Sequence, residues 1–123
     1  MTSGSTGYPV KFRTTALTST LWNAVNIREQ LWSDREFDKS SASIRWHSGA
    51  IGLLPKGLEF ENWGLPISAF HKTGRGYFLN SSTDICTQIT WLQKLQPSYL
   101  MTHPSNLRAL MAQLRSDGTA LHG

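Results

Sequence analysis

Six consecutive residues near the amino terminus have the composition of an anion cradle: Thr2, Ser3, Gly4, Ser5, Thr6 and Gly7. Glycine lets the backbone take positive φ and lets a ligand come close. Successive N–H groups in such a turn form an anion-binding nest, and Ser and Thr hydroxyls add donors. A helical pattern follows soon after, so a bound phosphate would also feel a positive helix N-terminus. Phosphate binding is the chemistry these residues suit, and a plain polar terminus is the alternative. The spacing excludes a Walker loop, because Gly4 and Gly7 are three apart and Lys11 stands four beyond Gly7.

Other chemistry-bearing residues are scattered. His47, His71, His103 and His122 form no H-x-x-x-H pair, and Cys86 is the only cysteine, so no metal site is expected. No Gly-x-Ser-x-Gly elbow occurs, which removes Ser5 and Ser105 as hydrolase nucleophiles by motif. Cys86, near an expected helix start, is a lowered-pKa thiol or a small buried residue, and the second is expected.

The elements that would position these residues follow from periodicity. Residues 11–15 alternate and suggest a short strand. Residues 15–34 read as a helix, with Leu17, Leu21, Ala24, Val25, Arg28, Leu31 and Trp32 along one stripe and Thr14, Thr15 or Thr18 as cap. Residues 43–47 suggest a strand with Ile44 and Trp46 on one face. Residues 53–66, with Pro55, Gly57, Gly64 and Pro66, read as an irregular connection pinned by Phe60 and Trp63. Residues 67–70 and 76–79 are strand candidates, with 73–76 as a hairpin turn rather than a second phosphate loop. Ser82, Thr83 or Asp84 caps a helix that Pro97 ends after Gln96, with Ile85, Ile89, Leu92 and Leu95 on one face. Residues 99–102 form a short apolar run consistent with a buried parallel strand. A last helix opens at Pro104 with Ser105 as cap, carries Leu107, Leu110, Met111 and Leu114, and stops at Gly118. Helix, strand, helix with tight connections is the α/β pattern of a parallel or mixed sheet flanked by about three helices.

At 123 residues the chain is expected to be one α/β domain. A chain of this size buries roughly two thirds of its surface and needs no disulfide to fold. The net charge of +4 comes from basic residues without a run of five or six, so nucleic acid is not the expected partner. Five Trp and five Phe supply core, with some left as surface aromatics for a partner. No run of about 18 apolar residues exists, so no membrane span is expected. The lone cysteine and the lack of a signal-peptide pattern make a cytoplasmic protein the expectation.

The order Thr-Ser-Gly-Ser-Thr-Gly-x-Pro, residues 2–9, resembles the phosphate-binding loop of the adenylate-forming enzymes, the acyl-CoA ligase superfamily. The common pattern puts Lys directly after the Pro. Here Val10 follows Pro9 and Lys11 comes one later, so the usual phosphate role does not carry over to Lys11. A second stretch, Trp91-Leu92 followed by residues 96–107 (Gln-Pro-Ser-Tyr-Leu-Met-Thr-His-Pro-Ser-Asn-Leu), is similar to phenylacetate–CoA ligase-like proteins, as is Trp63-Gly64-Leu65-Pro66. In those proteins a helix ends at a Pro, a buried strand follows, and a Pro-Ser pair starts the next helix.

The resemblance, covering residues 2–118, implies an ATP-dependent ligase. In the family a carboxylate attacks the α-phosphate of ATP, pyrophosphate leaves, and the acyl group passes to the thiol of CoA, with magnesium on the nucleotide. It implies that Thr2, Ser3, Gly4, Ser5, Thr6 and Gly7 bind the nucleotide phosphates and that His103 lines the acyl pocket. Family members are several times longer and carry a Tyr-Gly-x-Thr-Glu segment, a ribose-binding Asp and a catalytic Lys that find no match here. The expectation is therefore a fragment of the larger adenylate-forming domain, holding the loop and part of the acyl-pocket wall, binding nucleotide weakly and not catalytic alone. It would associate with itself through exposed sheet edges or with the rest of such an enzyme. A non-catalytic interaction domain on the same fold is the alternative, with a basic, Trp-rich nucleic-acid module behind it.

Overall fold

Thr15 begins the first helix by capping it: its Oγ1 accepts from the Thr18 N–H at 3.1 Å, satisfying an N–H that the helix itself leaves unpaired. The structure, a computed structural model, describes residues 13–48 and 56–118. Two units divide the chain, Met1–Arg35 and Glu36–Gly123. In the first, residues 13–15 are irregular rather than the expected strand, whose other two residues lie outside the described part. Helix α1, Ala16–Trp32, follows, and none of its residues is buried. Its apolar stripe is open: Leu17, Leu21, Trp22, Leu31 and Trp32 are all about half exposed or more. The Arg28 guanidinium lies 4.6 Å from the Trp32 ring centroid, a cation over an aromatic face. The helix ends where the N–H and the hydroxyl of Ser33 both turn back to the Glu29 carbonyl.

The second unit is an α/β layer. Strands β1 (Ser41–Arg45), β2 (Leu58–Phe60), β3 (Gly76–Asn80) and β4 (Tyr99–Thr102) form one sheet in the order β2-β3-β1-β4. β1 runs parallel to both β3 and β4, while β2 is antiparallel to β3, so the sheet is mixed. Alternation selects the faces: Ala42 and Ile44 are fully buried, whereas Ser41 and Ser43 between them are not.

Helices α2 (Ile85–Leu95) and α3 (Pro104–Asp117) follow β3 and β4 and pack against each other. Asp84 caps α2, its two carboxylate oxygens taking the Thr87 N–H at 2.9 Å and the Thr87 hydroxyl at 2.6 Å. Gln96 closes that helix in the left-handed region, at φ 46°, just before Pro97. Ala42, Ile44, Leu79, Ile89, Trp91, Leu92 and Leu110 make the core, with Leu100 and Leu114 packed beside them. Burying one such Leu is worth roughly 1.5–3 kcal/mol.

Several expectations need correction. β2 lies inside 53–66, a stretch expected to be irregular, because antiparallel pairing with β3 takes up its backbone groups. Residues 67–70 form a 3₁₀ turn, Ile67–Ala69, instead of a strand. The 73–76 stretch is consequently no hairpin turn, and Gly74 instead donates its N–H to the Phe37 carbonyl at 2.7 Å. Trp46 falls beyond the end of β1 and is exposed, as are Phe60 and Cys86. His103, not Ser105, occupies the cap of α3, because Pro104 fits the first helical position, where no N–H is needed. On that helix Leu110 is buried, but Leu107 and Met111 remain exposed.

Trp63 does brace its loop. Its indole N–H donates to the Lys39 carbonyl at 2.9 Å, and its ring meets Phe37 and Tyr99 edge-on, each at 5.6 Å. Gly57 is required by space as well as by its φ of +60°: a Cβ there would meet the Phe78 carbonyl oxygen at 2.5 Å and the Trp91 indole nitrogen at 3.0 Å.

Candidate functional site

The three parallel strands end side by side. Open parallel sheets bind ligands outside the carboxyl ends of their strands, and here those ends lead into Trp46-His47, Ser81-Ser82 and His103. The Ile44–Thr102 couple closes the β1–β4 pairing, and His103 stands one residue beyond it.

Buried amides hold this edge together. Asn80, fully buried at the end of β3, donates from Nδ2 to the His47 carbonyl at 2.9 Å, tying the exit of β1 to that of β3. Its Oδ1 accepts from the Ser82 N–H at 3.1 Å and the Ser82 hydroxyl at 2.8 Å. Gln88, also fully buried, donates to the Thr83 carbonyl at 2.7 Å, and its Oε1 accepts from Asn106 Nδ2 at 2.8 Å. Asn106 donates as well to the Thr102 hydroxyl at 3.0 Å, so the end of β4 and the first turn of α3 are fixed to α2. Buried polar groups need such partners, because an unmade bond costs about 1–3 kcal/mol. The Thr83 Oγ1 is buried without a partner among the described residues.

The two helix N-termini at this edge differ. At α2 the Asp84 carboxylate occupies the positive end, and the Thr87 hydroxyl followed by the Thr87 N–H hold its pKa below the usual Asp value. At α3 the His103 side chain makes no capping bond, and the first turn holds no acidic residue. His103 is exposed, while its carbonyl accepts the Leu107 N–H at 3.0 Å. The same edge exposes His47, whose Nδ1 lies 2.7 Å from the Ser48 carbonyl oxygen and whose ring stands edge-on to Phe78 at 6.4 Å. The arrangement offers an open surface carrying imidazoles, hydroxyls and one uncapped helix end, supported from below by buried amides. It is suited to polar or anionic ligand groups.

Of the residues expected in a site, His103 is placed on this edge. Thr2, Ser3, Gly4, Ser5, Thr6 and Gly7 lie outside the described residues, as does His122. Asn80, Ser82, Gln88, Thr102 and Asn106 were not anticipated. Gln88 carried a legible signal, a polar residue directly beside Ile89 on the buried side of α2. Among the described residues no group of three His, Cys, Asp or Glu side chains is placed to hold a metal ion. No described helix is long and apolar enough to cross a membrane. No protein-family model matches the chain, and neither a curated protein nor a solved structure matches it.

Proposed function

We propose that this chain is the phosphate-loop and acyl-pocket-wall portion of an adenylate-forming carboxylate–CoA ligase of the phenylacetate–CoA type, and that it does not form an acyl-adenylate alone. The observation that carries the reading is the run from β4 into α3. The stretch resembling that family is a strand, then His103 at the carboxyl edge, then Pro104 in the first position of a helix. A side chain in that place faces the region where open α/β sheets take ligands.

In this reading the residues from Thr2 to Gly7 hold the β- and γ-phosphates while negative charge moves onto the departing pyrophosphate, an electrostatic contribution. His103 borders the acyl group, and the Gln88–Asn106–Thr102 set, anchored on the buried Gln88, holds the segment that carries it. Magnesium is not assigned to this chain's described residues, which offer no ligand cluster, and CoA enters as a substrate of the complete enzyme. A cytoplasmic working place and self-association belong to the same reading.

The test is carboxylate-dependent exchange of labelled pyrophosphate into ATP. The expected result is no exchange with the chain alone. Exchange appears when the downstream portion of a phenylacetate–CoA-type ligase is added, and disappears with Ser5→Ala/Thr6→Ala. Exchange by the chain alone overturns the second half of the proposal, and none under any combination overturns the first. The open apolar stripe of α1, with Trp22 and Trp32 both exposed, favours one other reading, a non-catalytic interaction domain on this fold. That reading predicts partner binding unaffected by Ser5→Ala/Thr6→Ala.

A further inference from the structure

The two edges of the sheet are protected unequally. β2, at one edge, is three residues long and carries Glu59, whose carboxylate pairs with the Arg75 guanidinium; charge and shortness are devices that keep edges from pairing. β4, at the other edge, reads Tyr-Leu-Met-Thr, with no charge, proline or glycine. Residues facing a parallel neighbour alternate. The Tyr99 N–H reaches the Ser40 carbonyl at 3.1 Å, and β4 pairs Tyr99 with Ser41 and Met101 with Ser43. The N–H and C=O groups of Tyr99 and Met101 therefore point toward β1, and those of Leu100 and Thr102 point outward. Neither outward pair has a backbone partner among the described residues.

We propose that β4 pairs antiparallel with β4 of a second copy, about a two-fold axis at Met101, to join two sheets into one of eight strands. The occupant is a second copy because the edge is complementary to itself. Two outward residues separated by one inward residue allow Leu100 of each copy to exchange both backbone bonds with Thr102 of the other. Four orphan groups on each chain are then satisfied, and the two Met101 residues face each other in the close, non-hydrogen-bonded position. Four residues per chain fall short of the roughly 800 Å² per partner of a standard interface. The pairing is accordingly weak, with a Kd on the order of 100 μM. It gives a strand and a register to the self-association named with the ligase reading, and the two are told apart because pyrophosphate exchange and sedimentation are measured separately.

The test is sedimentation of the full chain from about 10 μM to about 1 mM, bracketing that Kd, with backbone amide exchange at both ends of the range. The expected result is a monomer–dimer equilibrium with the Leu100 and Thr102 amides protected only at high concentration. Thr102→Pro removes an outward N–H and leaves the β1 bonds in place, though it also deletes the hydroxyl that accepts from Asn106. Met101→Lys brings two charges together on the axis and, within each copy, sets the new ammonium beside the Arg45 guanidinium that contacts the Met101 sulfur. Each weakens the dimer at least tenfold, and circular dichroism and the melting temperature report whether the monomer remains folded. A monomer at every concentration overturns the proposal. So does a dimer that both folded variants leave intact, which would put the interface elsewhere, such as on the open stripe of α1. Loss of dimer in Met101→Lys with amide protection of Leu100 and Thr102 unchanged also overturns it.

Discussion

Asn106 on α3 donates its side-chain amide to the side-chain oxygen of Gln88 on α2 at 2.8 Å, beneath the carboxyl ends of the parallel strands. Gln88 is fully buried, so its side-chain oxygen relies on this protein donor. Asn106→Ala therefore leaves a buried oxygen unpaired and is expected to cost about 1–3 kcal/mol. Gln88→Leu combined with Asn106→Ala costs less than the sum of the single changes. Urea unfolding of the four proteins measures the coupling, expected at about 0.5–3 kcal/mol. Simple additivity would mean that the bond does not join the helices energetically.

Gly57 and Gly64 separate strain from collision. Both have positive φ, 60° and 82°, but a Cβ at Gly64 meets nothing within 4 Å, whereas at Gly57 it runs into the Phe78 carbonyl and the Trp91 indole. Gly64→Ala should cost about 1 kcal/mol from backbone strain. Gly57→Ala should cost clearly more, because the Phe78 backbone carbonyl, 2.5 Å from that Cβ, must shift and the Trp91 ring, whose N–H bonds to the Lys56 carbonyl at 3.1 Å, must give with it. Equal melting temperatures for the two variants would contradict this.

The α2 cap is titratable. Asp84 has a folded-state pKa below its unfolded value because the Thr87 hydroxyl and then the Thr87 N–H favour the carboxylate. A depressed pKa means stability that is present above the unfolded value of 3.8 and lost as pH falls through the lower folded value. Asp84→Asn keeps an acceptor at the cap but removes the charge. It should lower stability at pH 7, where the carboxylate's contribution is fully present, and flatten the acid limb of the profile below that value. An unaltered acid limb would show that the cap does not contribute there.

His103 holds the α3 cap position without capping it. His103→Asp should raise stability by about 1 kcal/mol, since Asp is a strong cap residue and suits the positive helix end. His103→Ala should lie within about 0.5 kcal/mol of the parent, as an exposed side chain without a bond has little to lose. In the reconstituted exchange assay both should lose activity if His103 borders the acyl group. Unchanged activity in both would remove it from the site.

Nucleotide binding by the chain alone should be weak. Phosphate contacts in water-exposed surroundings are screened, so ATP affinity is expected to be in the millimolar range, on the order of 4 kcal/mol. Calorimetry giving micromolar affinity that Thr6→Ala abolishes would show that the chain holds a complete nucleotide site.

Local patterning settled much of this fold before any coordinates. The apolar stripes at 3.6-residue spacing located α1, α2 and α3. Gln96-Pro97 and Gly118 marked two helix ends, and residues 99–102 gave β4 with its own bounds. The buried position expected for that strand did not follow, since β4 is an edge strand with every residue half-buried. The bounds were legible because short-range sterics and solvent preference are properties of the local chain. Pairing is not. β2 became a strand only because β3 lay alongside it, whereas residues 67–70 pair with no strand and close on themselves, the Phe70 N–H donating to the Ile67 carbonyl at 3.0 Å. The candidate site divides the same way. The hydroxyl-glycine run and His103 were visible as residue types, but Asn80 and Asn106 acquire meaning only when the fold brings His47 and Gln88 to their amides. A buried hydrogen bond between distant segments is specified by where the chain packs, and no spacing along the sequence encodes it.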